Sequence, residues 1–425
     1  MHRRDFIQRI ASAGTGSLLF ASTCALEAAP APRPRISLGI DMFAASGFAS
    51  IQGLRVGLLT HLAGVNMHRE LTLDVLRRAR GIRLVKLFGP EHGLFGKAAA
   101  DVPVQSATDS RTGLPVYSLY GKTRRPTPAM LSGLDVMLID LQDIGSRTYT
   151  YVSCMKLVIE ACFEAGVKVI VLDRPNPLGG LKVDGPGLDK KWMSYVGSFQ
   201  VPYVHGLTIG ELALLATRTP GWLNLSPEAR KKGHISVIKM GGWKRAMRWQ
   251  DTGLHWMATS PMVQHIEAAE GYPMTGLGCQ LDDNDFSHGT KTLFPFRFIQ
   301  FPGKKAAEIA SQLRRRKIRG LGLNPIRLTD GTEGVYLSIS NWEQLRPTEL
   351  NFHMMQLSCL WQRKNPFASL TKAKKELQIK HIGSEAFFSE LCRKGSAINV
   401  SAWMDRWTRE ANVFKTWARR HWIYS

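Results

Sequence analysis

The chain has 425 residues, 44% of them apolar and 11 of them Trp, which excludes a disordered or low-complexity polymer and supplies two or three domains of ordinary size. Its 56 Lys and Arg against 34 Asp and Glu give a net charge of +22, a surface suited to polyanions: for an exported protein these are cell-wall polymers or lipid headgroups, and DNA is not excluded by charge alone. No repeat at a fixed period occurs, and no stretch beyond the first 30 residues approaches the apolar length of a membrane span.

Residues 1–29 read as a leader. His2-Arg3-Arg4-Asp5-Phe6-Ile7 is a twin-arginine pattern, the small-residue run Ile10 to Ala21 is weakly apolar, and a small-residue cleavage region surrounds Ala28 and Ala29. The expectation is export of a folded protein to the periplasm or beyond, with lipidation at Cys24 as the alternative. Five cysteines remain after the leader, at 154, 162, 279, 359 and 392. None has metal-ligand spacing, the odd count argues against a disulfide framework, and Cys154 and Cys162 lie roughly 12 Å apart on one predicted helix. They are expected to be inert thiols.

Residues 36–53 read as a lead-in with Gly39-Ile40-Asp41 before a loop. Leu54 to His61 is a strand, Leu71 to Arg80 has helical spacing, and Ile82 to Leu87 is a second strand; together they form a βαβ unit. The second strand runs out into Phe88-Gly89-Pro90-Glu91-His92-Gly93-Leu94-Phe95-Gly96, where glycines allow a tight turn and Pro90 fixes the entry to Glu91. Val116 to Tyr120 is a short strand closed by Gly121. The strongest strand, Leu134 to Asp143, ends in a polar cluster of Asp140, Gln142, Asp143, Arg147, Tyr149 and Tyr151. A helix follows to Gly166, and the strand Val167 to Leu172 ends in Asp173-Arg174-Pro175-Asn176. In an open α/β sheet, ligands bind at the carboxyl ends of the strands, so three polar strand ends predict one shared pocket. Next come His205 in a loop and Thr208 to Glu211 at a helix N-terminus, where Glu211 is either half of a capping box or a site residue. Ile235 to Met240 is a further strand.

From about Tyr272 the character changes to Gly-rich and acidic loops (Asp282, Asp283, Asp285, His288), then to mixed basic helices and short strands such as Val335 to Ile339. The boundary falls between 260 and 300. The basic run Arg314 to Arg319 ends a helix begun near Lys304, and Trp403, Trp407, Phe414 and Trp417 mark an amphipathic helix packed on its own domain. The βα pattern gives the fold class as α/β, a doubly wound sheet over 36–270 followed by a smaller α+β domain over 271–425.

Four motifs taken in order, Phe88 to Gly93, Thr112 to Gly121, Asp140 to Tyr151 and Val171 to Pro177, resemble the bacterial exo-β-N-acetylmuramidase family, long known only as a domain of unknown function. The resemblance extends from about Gly39 to the C-terminus. It implies a Rossmann-like domain joined to a smaller C-terminal domain that closes a cleft between them, and release of N-acetylmuramic acid from the non-reducing end of peptidoglycan fragments without a nucleotide or metal. It also places the family's proposed catalytic glutamate on Glu91; no nucleic-acid partner is expected. The chain departs from the family pattern at Thr60-His61, where an Asn is expected, and over Gly278 to Thr290, where a Glu and an Arg are missing.

Glycoside hydrolysis ordinarily takes two carboxyl groups. Glu91 is the expected acid/base and Asp140 the first candidate for its partner, with Asp143, Asp173 and Glu211 as alternatives; the substrate's own acetamido group is another. His92, Gln142, Arg147, Tyr149, Tyr151, Asp173, Arg174, Asn176, His205 and Glu211 are expected to bind substrate. Arg147 and Arg174 are candidates for the lactyl carboxylate because a guanidinium matches its geometry, or else they form internal salt bridges to Asp143 or Asp173. No Gly-x-Ser-x-Gly elbow is present, and no Gly-x-Gly-x-x-Gly follows the first strand. The rival to an enzyme is a non-catalytic wall-binding protein on the same fold.

Overall fold

The apolar runs form strands whose alternate residues serve two different cores. The computed structural model describes residues 36–96, 98–99, 102–279 and 286–425; the expected leader and the acidic loop with Asp282, Asp283 and Asp285 lie outside the described residues. Seven strands make the larger sheet: β1 (Arg55–Thr60), β2 (Arg83–Gly89), β3 (Ala107–Thr108), β4 (Pro115–Ser118), β5 (Val136–Asp140), β6 (Lys168–Leu172) and β7 (Ile235–Ile238), in the order β3-β4-β2-β1-β5-β6-β7. All pairs are parallel except β3 with β4. The chain winds outward from β1 through β2 to β4, then returns to place β5 on the other side of β1, so the switch point lies between β1 and β5.

Val56, Leu58, Val136, Leu138, Ile170 and Leu172 face one core, together with Ile40 and Phe43 of α1 (Gly39–Ala45) and Leu73 and Leu76 of α2 (Thr72–Arg78). Leu59, Met137, Ile139, Val169 and Val171 face the other, against α4 (Tyr151–Ala165) and α5 (Ile209–Arg218); the short α3 (Pro128–Leu131) packs near α4. Period-two burial on both faces is what a doubly wound sheet requires. α1 corrects the reading of 36–53 as a lead-in. It forms because Gly39 packs directly on β6: a Cβ there would collide with the backbone of Asp173 and Ile238, a tertiary contact that no local pattern announces.

The short α6 (Pro227–Lys232) precedes β7, and α7 (Ile266–Cys279) leads into the smaller layer: β8 (Phe298–Ile299), α8 (Ala306–Arg314), β9 (Leu321–Arg327) and β10 (Glu333–Ile339), with sheet order β8-β10-β9. α9 (Glu349–Trp361), α10 (Lys372–Ile382), α11 (Glu385–Lys394) and α12 (Val400–Ala418) complete the chain. No helix among the described residues is long and apolar enough to cross a membrane. The aromatic stripe packs on its own domain only in part: Trp407 is buried, its ring centroid 4.6 Å from Phe352 and 5.2 Å from Phe387, whereas Trp417 lies 6.2 Å from Trp222 of the larger layer. Cys154 and Cys162 are buried free thiols on α4, and Cys359 and Cys392 are half-buried and free. The basic run is partly spent on its own domain, where Arg314 donates to the carbonyl of Leu323 and Arg316 to that of Gln312.

One side chain joins the two layers through a helix defect. Pro273 inside α7 has no N–H and strains the ladder around it. Asn351 of α9 fills the gap, accepting from the Leu277 amide at 3.2 Å and donating to the Pro273 carbonyl at 2.8 Å. The helix interior is thereby satisfied by its neighbour across the layer boundary.

Candidate active site

The carboxyl ends of β1, β2, β4, β5 and β6 gather on one edge of the sheet. In the β2–β4 pairing Gly89 lies opposite Ser118, so Glu91 and Tyr120 stand two residues beyond the same register. The turn carrying Glu91 is tight: the Gly93 amide donates to the Pro90 carbonyl, and His92 adopts φ +69°, a left-handed conformation that costs a non-glycine residue energy and is held here by the surroundings. The His92 ring bonds through Nδ1 to the carbonyl of Ala98 at 2.8 Å. Glu91 is only 7% exposed.

Thr150 stands at the N-cap position of α4 but makes no side-chain cap; its hydroxyl donates instead to Glu91 Oε2 at 2.5 Å. The carboxylate therefore faces the positive end of a 15-residue helix. Around it lie Tyr151, Cys154 and Tyr195, whose own ionisation is pushed up by burial and, secondarily, by the Glu91 charge. The Tyr195 hydroxyl is buried and has no hydrogen-bond partner among the described residues.

The other expected residues are turned inward. Asp140, fully buried, takes Arg174 Nε at 2.5 Å and Nη2 at 2.9 Å on its two oxygens and Thr72 Oγ1 at 2.5 Å as well. Arg174 completes its fork on the Val65 carbonyl. This geometry ties the loops after β1, β5 and β6 together and leaves Asp140 poorly placed for proton transfer. Arg147 donates to the carbonyls of Pro186, Val201, His381 and Ile382, and desolvation lowers its pKa to about 10. It staples the loop after β5 to the end of α10. Arg174 is internally paired, but with Asp140 and not with the expected Asp143 or Asp173, and Arg147 is spent on carbonyls and not on a carboxylate; both side chains are buried.

Tyr149 and Tyr151 stack edge to face with centroids 4.8 Å apart and spend their hydroxyls on Thr259, at 2.8 Å to its side chain and 2.5 Å to its carbonyl. Asp173 accepts from the Arg174 and Gly210 amides and from the hydroxyls of Thr208 and Tyr424; burial still raises its pKa to about 6. Asn176 donates to the Leu207 carbonyl and accepts from the Leu178 amide. Glu211 forms the capping box with Thr208, pairs with Arg245 at 2.6 Å and accepts from the Ile423 amide at 3.0 Å. Asp173 and Glu211 thus anchor the C-terminal residues to the sheet.

A second set of polar atoms is buried without partners. The His61 ring accepts the Gln142 amide on Nε2, which puts its proton on Nδ1, and burial holds it neutral; Nδ1 has no partner. Gln142 donates to the carbonyls of Asp143 and Pro175 and leaves Oε1 open. The Asp143 carboxyl accepts the Gly145 amide on Oδ2, leaves Oδ1 open, and is pushed up to about 7 by burial. His205 accepts the Leu207 amide on Nδ1, so its proton lies on Nε2, 3.7 Å from Asp143 Oδ2; burial lowers its pKa to about 3. Gln142 and Arg174 also line a small depression with Asn66, Arg69 and His255; Glu91 is not in its wall. Among the described residues no three His, Cys, Asp or Glu side chains gather as a metal site.

Sequence reasoning missed Thr150, Tyr195, Tyr120 and Arg124. Thr150 lies within the Asp140 to Tyr151 motif, between Tyr149 and Tyr151. The Arg124 guanidinium lies 4.3 Å from the Tyr195 ring centroid and 4.8 Å from that of Tyr120; its signal was the Arg-Arg pair just beyond the fourth strand.

Residues 56–267 match the family described as exo-beta-N-acetylmuramidase NamZ, N-terminal, and residues 271–424 match its C-terminal counterpart. A curated relative, the peptidoglycan beta-N-acetylmuramidase NamZ of Bacillus subtilis, is 39% identical over 313 residues, covering 72% of this chain and 73% of that one. A crystal structure of a DUF1343 family protein from Bacteroides fragilis superposes with TM-score 0.82 at 35% identity, covering 93% of this chain and all of that one. A second DUF1343 structure from the same organism, 23% identical with TM-score 0.67 over 92% of this chain and 99% of that one, shares the fold. The chain belongs to the exo-beta-N-acetylmuramidase NamZ family.

Proposed function

We propose that this protein is an exo-acting glycoside hydrolase that releases N-acetylmuramic acid from the non-reducing end of peptidoglycan fragments, with Glu91 as its acid/base. Family membership across both layers carries the reaction class. The assignment of Glu91 is supported by its strained turn at a strand end, its bond from Thr150 and its place before the N-terminus of α4. Asp140 and Asp173 are committed to internal partners. The second participant is therefore drawn from Asp143, which keeps an open oxygen, and the substrate's own acetamido group.

The test is release of free N-acetylmuramic acid from a chromogenic muramide and from a muramyl-glucosaminyl disaccharide, wild type beside Glu91→Gln. The amide keeps an acceptor for Thr150 but cannot exchange a proton, so a loss of about 10²–10⁴-fold is expected with an unchanged melting temperature. Retained activity in the variant removes Glu91 from the chemistry. Binding without release by wild type makes the protein a wall-binding module.

Export through the twin-arginine route, and retention on anionic wall polymers by the net positive surface, belong to the same proposal. One fractionation reads both. Arg3→Lys with Arg4→Lys holds the protein in the cytoplasm, and wild type leaves the wall fraction as salt rises; export of the double variant, or salt-independent partition, counts against each in turn.

A further inference from the structure

The sugar that distinguishes this reaction carries a carboxylate, yet the two arginines nearest the strand ends, Arg147 and Arg174, are consumed by carbonyls and by Asp140. A third is not. Arg124 is exposed and makes no hydrogen bond or ion pair among the described residues, whereas its neighbour Arg125 pairs with Glu164 of α4 at 2.6 Å. Its guanidinium rests on two tyrosine rings, Tyr120 and Tyr195, whose centroids are 5.9 Å apart. A guanidinium held by its face keeps its N–H donors directed from its edges, the arrangement that binds a carboxylate bidentately.

The backbone beneath it is fixed. The Thr123 hydroxyl accepts the Arg125 amide at 3.1 Å and donates to the Arg125 carbonyl at 2.6 Å, and Thr127 caps α3 immediately after. The shelf also stands beside Glu91. Tyr120 follows the end of β4 by two residues as Glu91 follows that of β2, and the Leu119 amide, bonded to the Gly89 carbonyl at 2.9 Å, carries the pairing one residue past Ser118. Tyr195 senses both charges: the Glu91 carboxylate and the Arg124 guanidinium shift its hydroxyl in opposite directions. A cation oriented on aromatic rings, unpaired, next to the proposed acid/base has the chemistry of a substrate clamp.

We infer that Arg124, seated on Tyr120 and Tyr195, binds the carboxylate of the substrate sugar and so selects an acidic amino sugar over a neutral one. This rests on the reading of Glu91 as the centre of a glycan site. The experiment is calorimetric binding of N-acetylmuramic acid and of its lactyl methyl ester to wild type, Arg124→Ala and Arg124→Lys. Wild type is expected to prefer the acid by ten- to a hundredfold, the span of a charge-assisted hydrogen bond. Arg124→Ala abolishes the preference, and Arg124→Lys, which keeps the charge but not the fork, restores part of it. A merely structural role would lower both affinities together and leave their ratio intact. A preference preserved in Arg124→Ala overturns the inference and leaves the hydrolase reading standing. A wild type that neither binds nor cleaves the muramide overturns the hydrolase reading, and this inference with it.

Discussion

Asp140→Asn separates the two roles open to a buried carboxylate at a strand end. The substitution keeps the shape of the side chain and an acceptor for Thr72 Oγ1, but it leaves the Arg174 guanidinium, 3% exposed, without its counter-charge. Removing one partner of a buried ion pair costs about 3–5 kcal/mol, because the remaining charge stays desolvated. An unfolding entropy of about 2.1 cal/mol/K per residue gives about 0.9 kcal/mol/K for 425 residues, so the melting temperature should fall by about 3–6 °C. The assay is thermal melting beside kcat for muramide hydrolysis, measured well below the transition. A structural Asp140 predicts the fall in melting temperature with kcat retained within severalfold. Replacing both partners, Asp140→Leu with Arg174→Met, should recover part of the lost stability, since paired apolar groups of similar volume remove both desolvation penalties. An unchanged melting temperature with kcat reduced a thousandfold would refute this reasoning and return Asp140 to the chemistry.

Asp143 gives the pH counterpart. Its carboxyl ordinarily titrates near 3.8 and is raised to about 7 in the fold, so the folded state binds the extra proton, and this stability is present below pH 4 and lost as pH rises through 7; the full excursion is worth on the order of 4 kcal/mol. Asp143→Asn should therefore melt close to wild type at pH 4 and several degrees above it at pH 8. His205, lowered to about 3, adds stability as pH rises toward its unfolded value of 6.5, but it does so in both proteins and cancels in their difference; parallel melting curves would remove the assignment.

The sheet was legible because its signal is redundant. Leu134 to Asp140 carries burial on both faces, and the Gly166 stop and the Thr208–Glu211 capping box each mark a helix end through its own backbone chemistry. What failed to show had its cause elsewhere in the chain. α1 depends on Gly39 meeting β6, and β9 carries Pro325, which a strand tolerates only because it is the edge of its sheet. α9 is buried nearly all round and α10 only toward its C-terminal end, so no single stripe repeats along them. In the site the difficulty is one of direction. Sequence placed Asp140, Arg147, Asp173 and Arg174 at the right ends of the right strands, but it carries no record of which way each side chain turns.

That limit has a physical origin. A loop buried at the end of a sheet must satisfy its carbonyls and hold its charges in pairs, and the residues that do so, Asp, Arg, Asn and Tyr, are those a glycosidase uses on its substrate. Arg147 on four carbonyls and Asp173 on four donors meet the first need completely. Asp173 has no oxygen to spare and Arg147 keeps only its buried Nε unpaired, so they position rather than react: the Asp140–Arg174 pair fixes the loops after β1, β5 and β6, Arg147 fixes the approach to α4, and α4 begins at the threonine that holds Glu91. Groups that act on a ligand must keep valence unspent until it arrives. By that criterion the side chains to follow are the ones the fold leaves open, Asp143 at Oδ1, Tyr195 at its hydroxyl and Arg124 at its edges; Tyr195 feels the charges of both Glu91 and Arg124.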